Sequence, residues 1–223
     1  MEISAIEKWQ KGTAVIAISK THKADGTNVS PTIMAYPDLK DEQLMDLVVT
    51  QDQKAFKELF ERYSKRVFNL TYSYVNDYHY AEDISEDVFI TVYNKSKTFK
   101  KESSFSTWVY RITVNASISH IRKHKKDMVL TDIENAEDII TEELEKPDEN
   151  YKKELGAKIL LMLPENQKTA FILSQKDGLR YKEISAIMKI SEKAVESLIY
   201  RAKENLRRII KDVRSNKKLK EGL

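Results

Sequence analysis

Residues 181–208, YKEISAIMKISEKAVESLIYRAKENLRR, decide the fold of the last third of the chain. A short amphipathic helical pattern stops at residues 189–191, and a longer pattern begins at once and ends in cations. Because the connection is so short, the two helices must cross steeply and the second must project outward. The stretch therefore predicts a helix-turn-helix, whose second helix fits the DNA major groove. A plain helical hairpin that binds no nucleic acid is the alternative.

Within this motif, apolar residues at helical spacing are predicted to lock the two helices together. They are Ile184, Ile187, Met188, Ile190, Val195, Leu198 and Ile199. Ser191 is a natural N-cap for the second helix. The side chains expected to face the groove are Lys193, Glu196, Ser197 and Tyr200. Lysine pairs with guanine and glutamate accepts from cytosine, so Lys193 and Glu196 are candidate base readers. Three cations are expected on phosphates: Arg201, Lys203 and Arg207.

Upstream of the motif, helical periodicity resumes at Tyr151, Pro164 suits the first turn of a helix, and Asp177 with Gly178 forms a stop signal. Residues 127–150 differ sharply, with ten acids against Lys146 alone. Such a segment predicts an acidic flexible linker. The helical segment beyond it, residues 151–215, is predicted to form one domain, followed by a basic tail at 216–223.

The chain before the linker shows four helical patterns between residues 38 and 126, enough to close one core. The second pattern begins after Asp52, a predicted N-cap, and the fourth runs from Phe105 to about Lys126. Residues 1–37 predict a flexible N-terminal extension, in which the apolar run 15–18 has no evident strand partner. The predicted fold class is therefore all-α, with a four-helix domain and a helix-turn-helix domain joined by the acidic linker.

Residues 105–126 combine aromatic residues with a run of cations and contain no acid. This combination favours single-stranded nucleic acid, since cations follow phosphates and rings stack on unpaired bases. The candidates are Phe105, Tyr110, Arg111, Arg122, Lys123, Lys125 and Lys126. The alternative is that the rings are core residues and the cations complement a helix C-terminus; Trp108, which shares a stripe with Ile112, is expected in the core.

The composition of the 223-residue chain bounds the remaining possibilities. The net charge is only +3, but residues 193–220 hold ten cations against three acids, a local balance of +7 that suits DNA phosphates. No cysteine is present, which fits a cytoplasmic protein, and no apolar run is long enough to cross a membrane. Because neither a glycine-rich phosphate loop nor a metal-spaced histidine cluster is found, an enzyme is disfavoured. No catalytic residue, metal site or cofactor is expected.

Taken together, the chain resembles the bacterial RNA polymerase sigma factors of the extracytoplasmic-function type over residues 38–214. The matching motifs are DQKAFKELF at 52–60, YAEDISEDVF at 80–89, FSTWVYRITVNASISHIR at 105–122, LPENQKTAF at 163–171 and ISEKAVESLIYRAKENL at 190–206. The resemblance implies a first domain that binds the polymerase clamp and the −10 element. It implies a second domain that binds the −35 element and the polymerase β flap.

At the level of residues, the resemblance assigns polymerase binding to an acidic face made of Glu82, Asp83, Glu86 and Asp87. It assigns to Asn115 a role in holding a flipped −10 base, and it places the other candidates of residues 105–126 on the melted strand. It also implies an anti-sigma factor as a possible partner, with no membrane insertion. Without the resemblance, the acidic face is an ordinary solvated helix surface.

Three positions depart from the family pattern. Glu86 stands where glutamine is usual, and Lys189 stands where the turn often has glycine. Residues 193–195, Lys-Ala-Val, replace a common Gly-Thr-Val, so the −35 sequence is beyond prediction. A helix-turn-helix regulator that acts without polymerase is the competing hypothesis. The basic and aromatic helix at 105–126 argues against it, since a sensing domain needs no second nucleic-acid surface.

Overall fold

The computed structural model describes the backbone of residues 16–19, 32–142 and 149–221, and the side chains of residues 35–124 and 155–212. Within these ranges there are eight α-helices: α1 Asp41–Val49, α2 Gln53–Val75, α3 Tyr78–Asn94, α4 Phe105–Glu142, α5 Glu149–Leu161, α6 Glu165–Gln175, α7 Tyr181–Met188 and α8 Glu192–Glu221. A two-stranded antiparallel sheet and a short 3-10 helix precede α1, and a second 3-10 helix, Ser96–Thr98, lies between α3 and α4. The predicted all-α class is confirmed for the bulk of the described chain. None of its helices is both long and apolar enough to cross a membrane.

The chain divides into two compact units. The first comprises Met1–Lys65 and Phe89–Phe105, and the second comprises Arg66–Val88 and Ser106–Leu223. Helices α2 and α3 each run from one unit into the other. Because these units do not follow the predicted ranges 38–126 and 151–215, the division into those two domains stays a prediction.

In the first unit, part of the predicted flexible extension is a β-hairpin. Strand β1, Ile16–Ser19, pairs antiparallel with β2, Thr32–Ala35, so that Ile16 lies opposite Ala35. The sequence reasoning was wrong to leave residues 15–18 without a partner. The partner is a run of four residues that begins at Thr32, and so short a strand is specified by its pairing rather than by its own pattern. The rest of the predicted extension before residue 32 lies outside the described residues.

Arg62 of α2 fastens the chain that follows the hairpin. Its guanidinium donates to three backbone carbonyl oxygens, those of Tyr36, Pro37 and Leu39. It also forms ion pairs with Asp41 and Glu58, each at 2.8 Å. The planar guanidinium has five N–H donors in a fixed fork, so one side chain satisfies this whole set of acceptors.

Helix α2 begins as predicted at an aspartate cap. The Asp52 Oδ1 atom accepts from the amides of Lys54 and Ala55, at 2.9 and 3.0 Å. Its Oδ2 atom accepts from the Tyr36 hydroxyl at 2.8 Å, and burial together with this carboxylate raises the pKa of Tyr36 to about 12. The cap therefore also ties the start of α2 to the segment before α1.

The second unit contains most of α4, which is longer than predicted. The helix continues to Glu142 rather than ending near Lys126. Residues 127–142 contain no glycine or proline and include good helix formers, so nothing local ends the helix before that point. The first part of the predicted acidic linker is thus helical backbone, and residues 143–148 lie outside the described residues.

The buried face of α4 also differs from the predicted apolar stripe. Thr113 and Ser117 are fully buried, whereas Trp108 and Ile112 are only half-buried. The two hydroxyls are tolerated in the interior because each donates at 2.9 Å to the carbonyl oxygen four residues earlier. Hydropathy scales rank serine and threonine as surface residues. The predicted stripe therefore contained Trp108 and Ile112, whereas the buried face contains the next residue after Ile112, Thr113, and Ser117 one turn later.

The last four helices surround a small core. Leu160 and Leu163 pack against Ala202 of α8, with Phe171 and further apolar residues of α8 around them. Helix α6 ends as predicted before Gly178, whose φ of 66° is a left-handed conformation that glycine adopts without strain. This core packs against the inner face of α8 and leaves the outer face of that helix exposed.

Candidate nucleic-acid and protein interfaces

The predicted turn between α7 and α8 is confirmed. Lys189 adopts the left-handed conformation, with φ 56° and ψ 44°. The Ser185 hydroxyl donates to the carbonyl of Ile190 at 2.6 Å, and the Ser191 Oγ atom caps α8 by accepting from the amide of Ala194 at 3.2 Å. Ile184 and Val195 are fully buried between the two helices. This geometry is that of a helix-turn-helix.

All seven residues predicted for duplex contact are exposed on the outer face of α8: Lys193, Glu196, Ser197, Tyr200, Arg201, Lys203 and Arg207. Five of them line one shallow groove: Lys193, Glu196, Ser197, Tyr200 and Lys203. Arg207 pairs with Glu204 one turn away, but 71% of the arginine side chain is exposed. Such exposed pairs contribute little to stability.

The sequence reasoning missed one residue of this groove, Tyr181. It is the first residue of α7, 39% exposed, and it lines the groove together with Tyr200, which is 65% exposed. An aromatic residue at the start of the first helix of the motif was the signal available in the sequence. The groove thus offers two rings, two lysines and one carboxylate to a duplex.

Two aromatic candidates on α4, Phe105 and Tyr110, have buried rings. Phe105 is 0% exposed and packs edge-on against Tyr63 and Phe99, with ring centroids 5.0 and 6.0 Å apart. Tyr110 is 7% exposed, and burial, aided by the Asp177 carboxylate, raises its pKa to about 12. Both rings close cores, so neither is presented to DNA bases in this structure.

The polar candidates on α4 differ in the contacts that their side chains make. Asn115 and Lys123 are exposed. Arg111 donates from Nη2 to the carbonyl oxygen of Ala186 at 2.7 Å, while its buried Nε has no partner within the described part of the chain. Arg122 holds Glu165 with two hydrogen bonds, from Nη2 at 2.8 Å and from Nε at 3.1 Å. The side chains of Lys125 and Lys126 lie outside those that the structure describes.

The acidic residues of α3 form one exposed face, made of Glu82, Asp83, Glu86 and Asp87. On the opposite side of the helix, Ala81, Ile84 and Val88 are buried. The helix is capped by the Asp77 Oδ1 atom, which accepts from the amide of Tyr80 at 2.9 Å. A face that presents only carboxylates repels DNA and suits a basic protein partner.

Next to this face, two histidines of α4 stack on each other. The rings of His120 and His124 are 4.2 Å apart, and the Tyr80 ring lies 4.8 Å from His120. Burial and the neighbouring His124 lower the pKa of His120, although Asp83 and Asp87 act in the opposite direction. Among the described residues, no group of three or more histidines and carboxylates is arranged to hold a metal ion.

A helix-turn-helix with an open polar groove, together with a second helix that carries cations, defines a nucleic-acid-binding protein. Two family models match the chain: sigma-70 region 2 over residues 59–127 and sigma-70 region 4 over residues 157–206. The RNA polymerase sigma-H factor of Pseudomonas aeruginosa is 31% identical over 175 residues, which cover 74% of this chain and 91% of that protein. The ECF RNA polymerase sigma factor SigW of Bacillus subtilis is 32% identical over 172 residues, covering 73% and 92%.

The chain therefore belongs to the ECF sigma factors, the sigma-70-type subunits with which RNA polymerase initiates transcription. The fold agrees with a solved complex of the sigma factor RpoE with the anti-sigma factor NepR from Bartonella quintana. That sigma factor is 21% identical, with a TM-score of 0.53 over 71% of this chain and 98% of its own. At this identity the likeness concerns the fold alone.

Proposed function

We propose that this sigma factor reads the −35 element as duplex with α8 and holds the melted −10 strand with α4, through domains at residues 38–126 and 151–215. The observation that carries the proposal is the open face of α8, where all seven candidate side chains are exposed and five line one groove. Base edges are read by Lys193 and Glu196, and Tyr181 and Tyr200 flank them. Arg201, Lys203 and Arg207 neutralise phosphates.

On α4, the proposed −10 contacts are polar rather than aromatic. Asn115 holds a flipped base, and five cations follow the phosphates: Arg111, Arg122 and Lys123, with Lys125 and Lys126 extending the series on the evidence of sequence alone. Phe105 and Tyr110 are left out because both are buried. Cations along a single strand supply affinity that depends on salt, not on sequence.

The acidic face of α3 is the proposed binding site for core polymerase. Its four carboxylates are exposed on one side of a helix whose other side is anchored in the core. Such a face complements a basic pair of clamp helices on the polymerase. The β flap is the second proposed polymerase contact, made by the α5–α8 segment.

The proposed role is binding without catalysis, in the cytoplasm where the polymerase and its promoters are found. No cofactor is proposed. An anti-sigma factor is a further proposed partner, because the structural relative RpoE is described in complex with one. Such a partner would act by covering the surfaces on α3, α4 and α8.

The test is transcription in vitro from a promoter library with core polymerase and the purified chain. We expect initiation from a subset of promoters that share two spaced elements. The matched control is the Lys193→Ala and Glu196→Ala double variant, which leaves α3 and α4 intact and is expected to lose the preference at −35. Tight duplex binding by the protein alone without specific initiation would instead favour a regulator that acts without polymerase.

A separate test addresses the acidic face. Reversing two charges with Glu86→Lys and Asp87→Lys is expected to weaken binding to core polymerase by about tenfold or more, since like charges at an interface are costly. The control reverses two exposed acids elsewhere, Glu61→Lys and Glu102→Lys, with the same change in net charge. Equal retention of all three proteins by immobilised polymerase would refute the assignment of α3.

A further inference from the structure

The acidic face of α3 lies beside two histidines of α4. Tyr80, Asp83 and Asp87 follow one another at spacings of three and four residues, so they share one side of α3. The centre of the Tyr80 ring lies 4.8 Å from that of His120 and 5.9 Å from that of His124, and the charges of Asp83 and Asp87 both act on His120. All five residues belong to the second compact unit. Two carboxylates of the acidic face therefore adjoin side chains that can become cations.

The two histidines form a stack that suits uncharged rings. Their centroids lie 4.2 Å apart and their planes differ by 29°. The His124 Nδ1 atom lies 3.1 Å from the carbonyl oxygen of His120, and because a carbonyl only accepts, this nitrogen is the donor. The Nε2 atom of His120 is buried and has no hydrogen-bond partner within the described residues. A charge on one ring disfavours a charge on the other, so protonation works against the stack.

The groups around His120 act on it in opposite directions. Burial and the charge of His124 lower the pKa of His120 from its ordinary value of 6.5, and Lys123 acts in the same direction, whereas Asp83 and Asp87 act to raise it. His120 is therefore neutral near pH 7 and takes up a proton only as the pH falls below about 6.5. Once protonated, the ring has its opposite charges in these two carboxylates.

A proton on His120 and a basic partner on the acidic face compete for the same carboxylates. A protonated imidazole offsets the charge of Asp83 and Asp87 and repels the cations of an approaching partner. By linkage, the proton weakens binding of the partner by the same factor by which the partner weakens binding of the proton. Affinity for a basic partner is therefore highest while His120 is neutral, and it falls as the pH is lowered through the titration of that ring.

We propose that His120 and His124 are positioning residues for core polymerase, because they set how much negative charge the acidic face presents. The neutral stack leaves Asp83 and Asp87 to the polymerase, whereas protonated His120 leaves the stack and pairs with them. The proposal rests on the proposed assignment of the acidic face to polymerase binding. It gives this sigma factor a response to acidification that needs no second protein.

The first measurement follows the histidine rings of the full chain by NMR, without polymerase. The sequence has four histidines, so each signal can be assigned by replacing one histidine with glutamine. We expect His124→Gln to raise the pKa of His120 and Asp83→Asn to lower it, since the two changes remove opposing effects. Glu102→Gln, which alters an exposed acid elsewhere, is the control and should leave this pKa unchanged. A titration of His120 that neither His124→Gln nor Asp83→Asn moved would contradict the pairing.

The second measurement is the affinity of the full chain for core polymerase from about pH 5.5 to about pH 8. As the pH is lowered, we expect the wild-type affinity to fall about fivefold or more relative to the His120→Gln and His124→Gln double variant, whose profile is flatter. The same polymerase is used throughout, so its own titration cancels in the comparison. His79→Gln changes a histidine outside the stack and is expected to keep the wild-type profile.

Two results of this second measurement would overturn the proposal: a double variant with the wild-type profile, or loss of the pH dependence in His79→Gln alone. The polymerase assignment itself is tested separately by the charge reversal at Glu86 and Asp87. If that reversal left binding unchanged while His124→Gln still raised the pKa of His120, the proposed function of the acidic face would fail and the proton-sensitive pair would stand.

Discussion

The two cationic helices differ in how they are presented. The outer face of α8 is open: all seven candidate side chains are exposed, although Arg207 also pairs with Glu204 one turn away. On α4, by contrast, Arg111 and Arg122 are held by protein acceptors, and Tyr110 is buried. Both helices are rich in cations, so charge alone does not distinguish them. What differs is the environment of the aromatic candidates, because Phe105 and Tyr110 of α4 are buried whereas Tyr200 of α8 is 65% exposed.

The largest expected effect tests whether the aromatic residue at the start of α4 serves the core or the DNA. Phe105→Ala removes a fully buried ring and is expected to lower the free energy of unfolding by about 3–5 kcal/mol. Chemical denaturation followed by circular dichroism measures it. The control is Tyr200→Ala on the open face of α8, for which little change in stability is expected. Equal stability of both variants would mean that Phe105 belongs to the surface.

The next prediction tests whether α8 reads base edges or contacts only phosphates. Glu196→Ala is expected to cost about 1–3 kcal/mol of affinity for the preferred duplex and to relax the preference at one base pair. Lys203→Ala is the comparison, because a phosphate contact weakens binding to all sequences and lowers the salt slope by about 1. Duplex titrations at several salt concentrations separate the two. If both variants behaved alike, α8 would bind DNA without reading it.

A smaller effect concerns how the free energy of unfolding depends on the ionisation of Asp177, which follows α6. Burial raises the pKa of Asp177 from 3.8 to about 6, although the charges of Lys176 and Arg66 act to lower it. The hydroxyls of Tyr74 and Tyr110 also interact with this carboxylate. The folded state therefore binds this proton more tightly than the unfolded state. Stability falls as the pH rises from about 4 to about 6, and the loss is complete above that.

Asp177→Asn removes this loss and is expected to stabilise the chain at pH 7.5 by on the order of 1 kcal/mol, after allowance for partial exposure. The gain should shrink as the pH is lowered below 6. Thermal unfolding between pH 4.5 and 7.5 measures it, with Glu102→Gln as a control of equal charge change. A gain that did not vary with pH would show that Asp177 is not the titrating group.

The smallest effect concerns the turn that positions α8. Lys189 is left-handed, a conformation that costs a residue with a side chain up to about 1 kcal/mol relative to glycine. Lys189→Gly is therefore expected to raise the melting temperature by a few degrees at most, with duplex specificity unchanged. Lys182→Gly, inside α7, is the opposite control and should destabilise. A loss of stability on Lys189→Gly would contradict the account of the turn.

Local features of the fold were predictable from the sequence. The caps at Asp52 and Ser191, the stop before Gly178 and the turn at Lys189 all depend on residues within a few positions of one another. The same locality made the face of α8 predictable, since one helical turn relates its core residues to its exposed ones.

Features that depend on distant residues were missed. The pairing of β1 with β2, the burial of Phe105 beside Tyr63, and the hydroxyl-lined buried face of α4 each require a partner that hydropathy does not identify. The extension of α4 into the acidic segment was missed for a different reason. Acid-rich composition was taken to indicate a linker, although its residues are compatible with a helix.

The sequence by itself determined that this chain has two cationic helices, one of them in a helix-turn-helix, because helical periodicity, capping and charge are local properties. Only the tertiary structure decided which candidate side chains on these helices are buried and which are exposed. Charge along a helix does not reveal whether an arginine faces solvent or a carboxylate from a helix 43 residues later, as Arg122 does with Glu165. That pairing depends on how the chain folds back on itself, which no local property of α4 specifies.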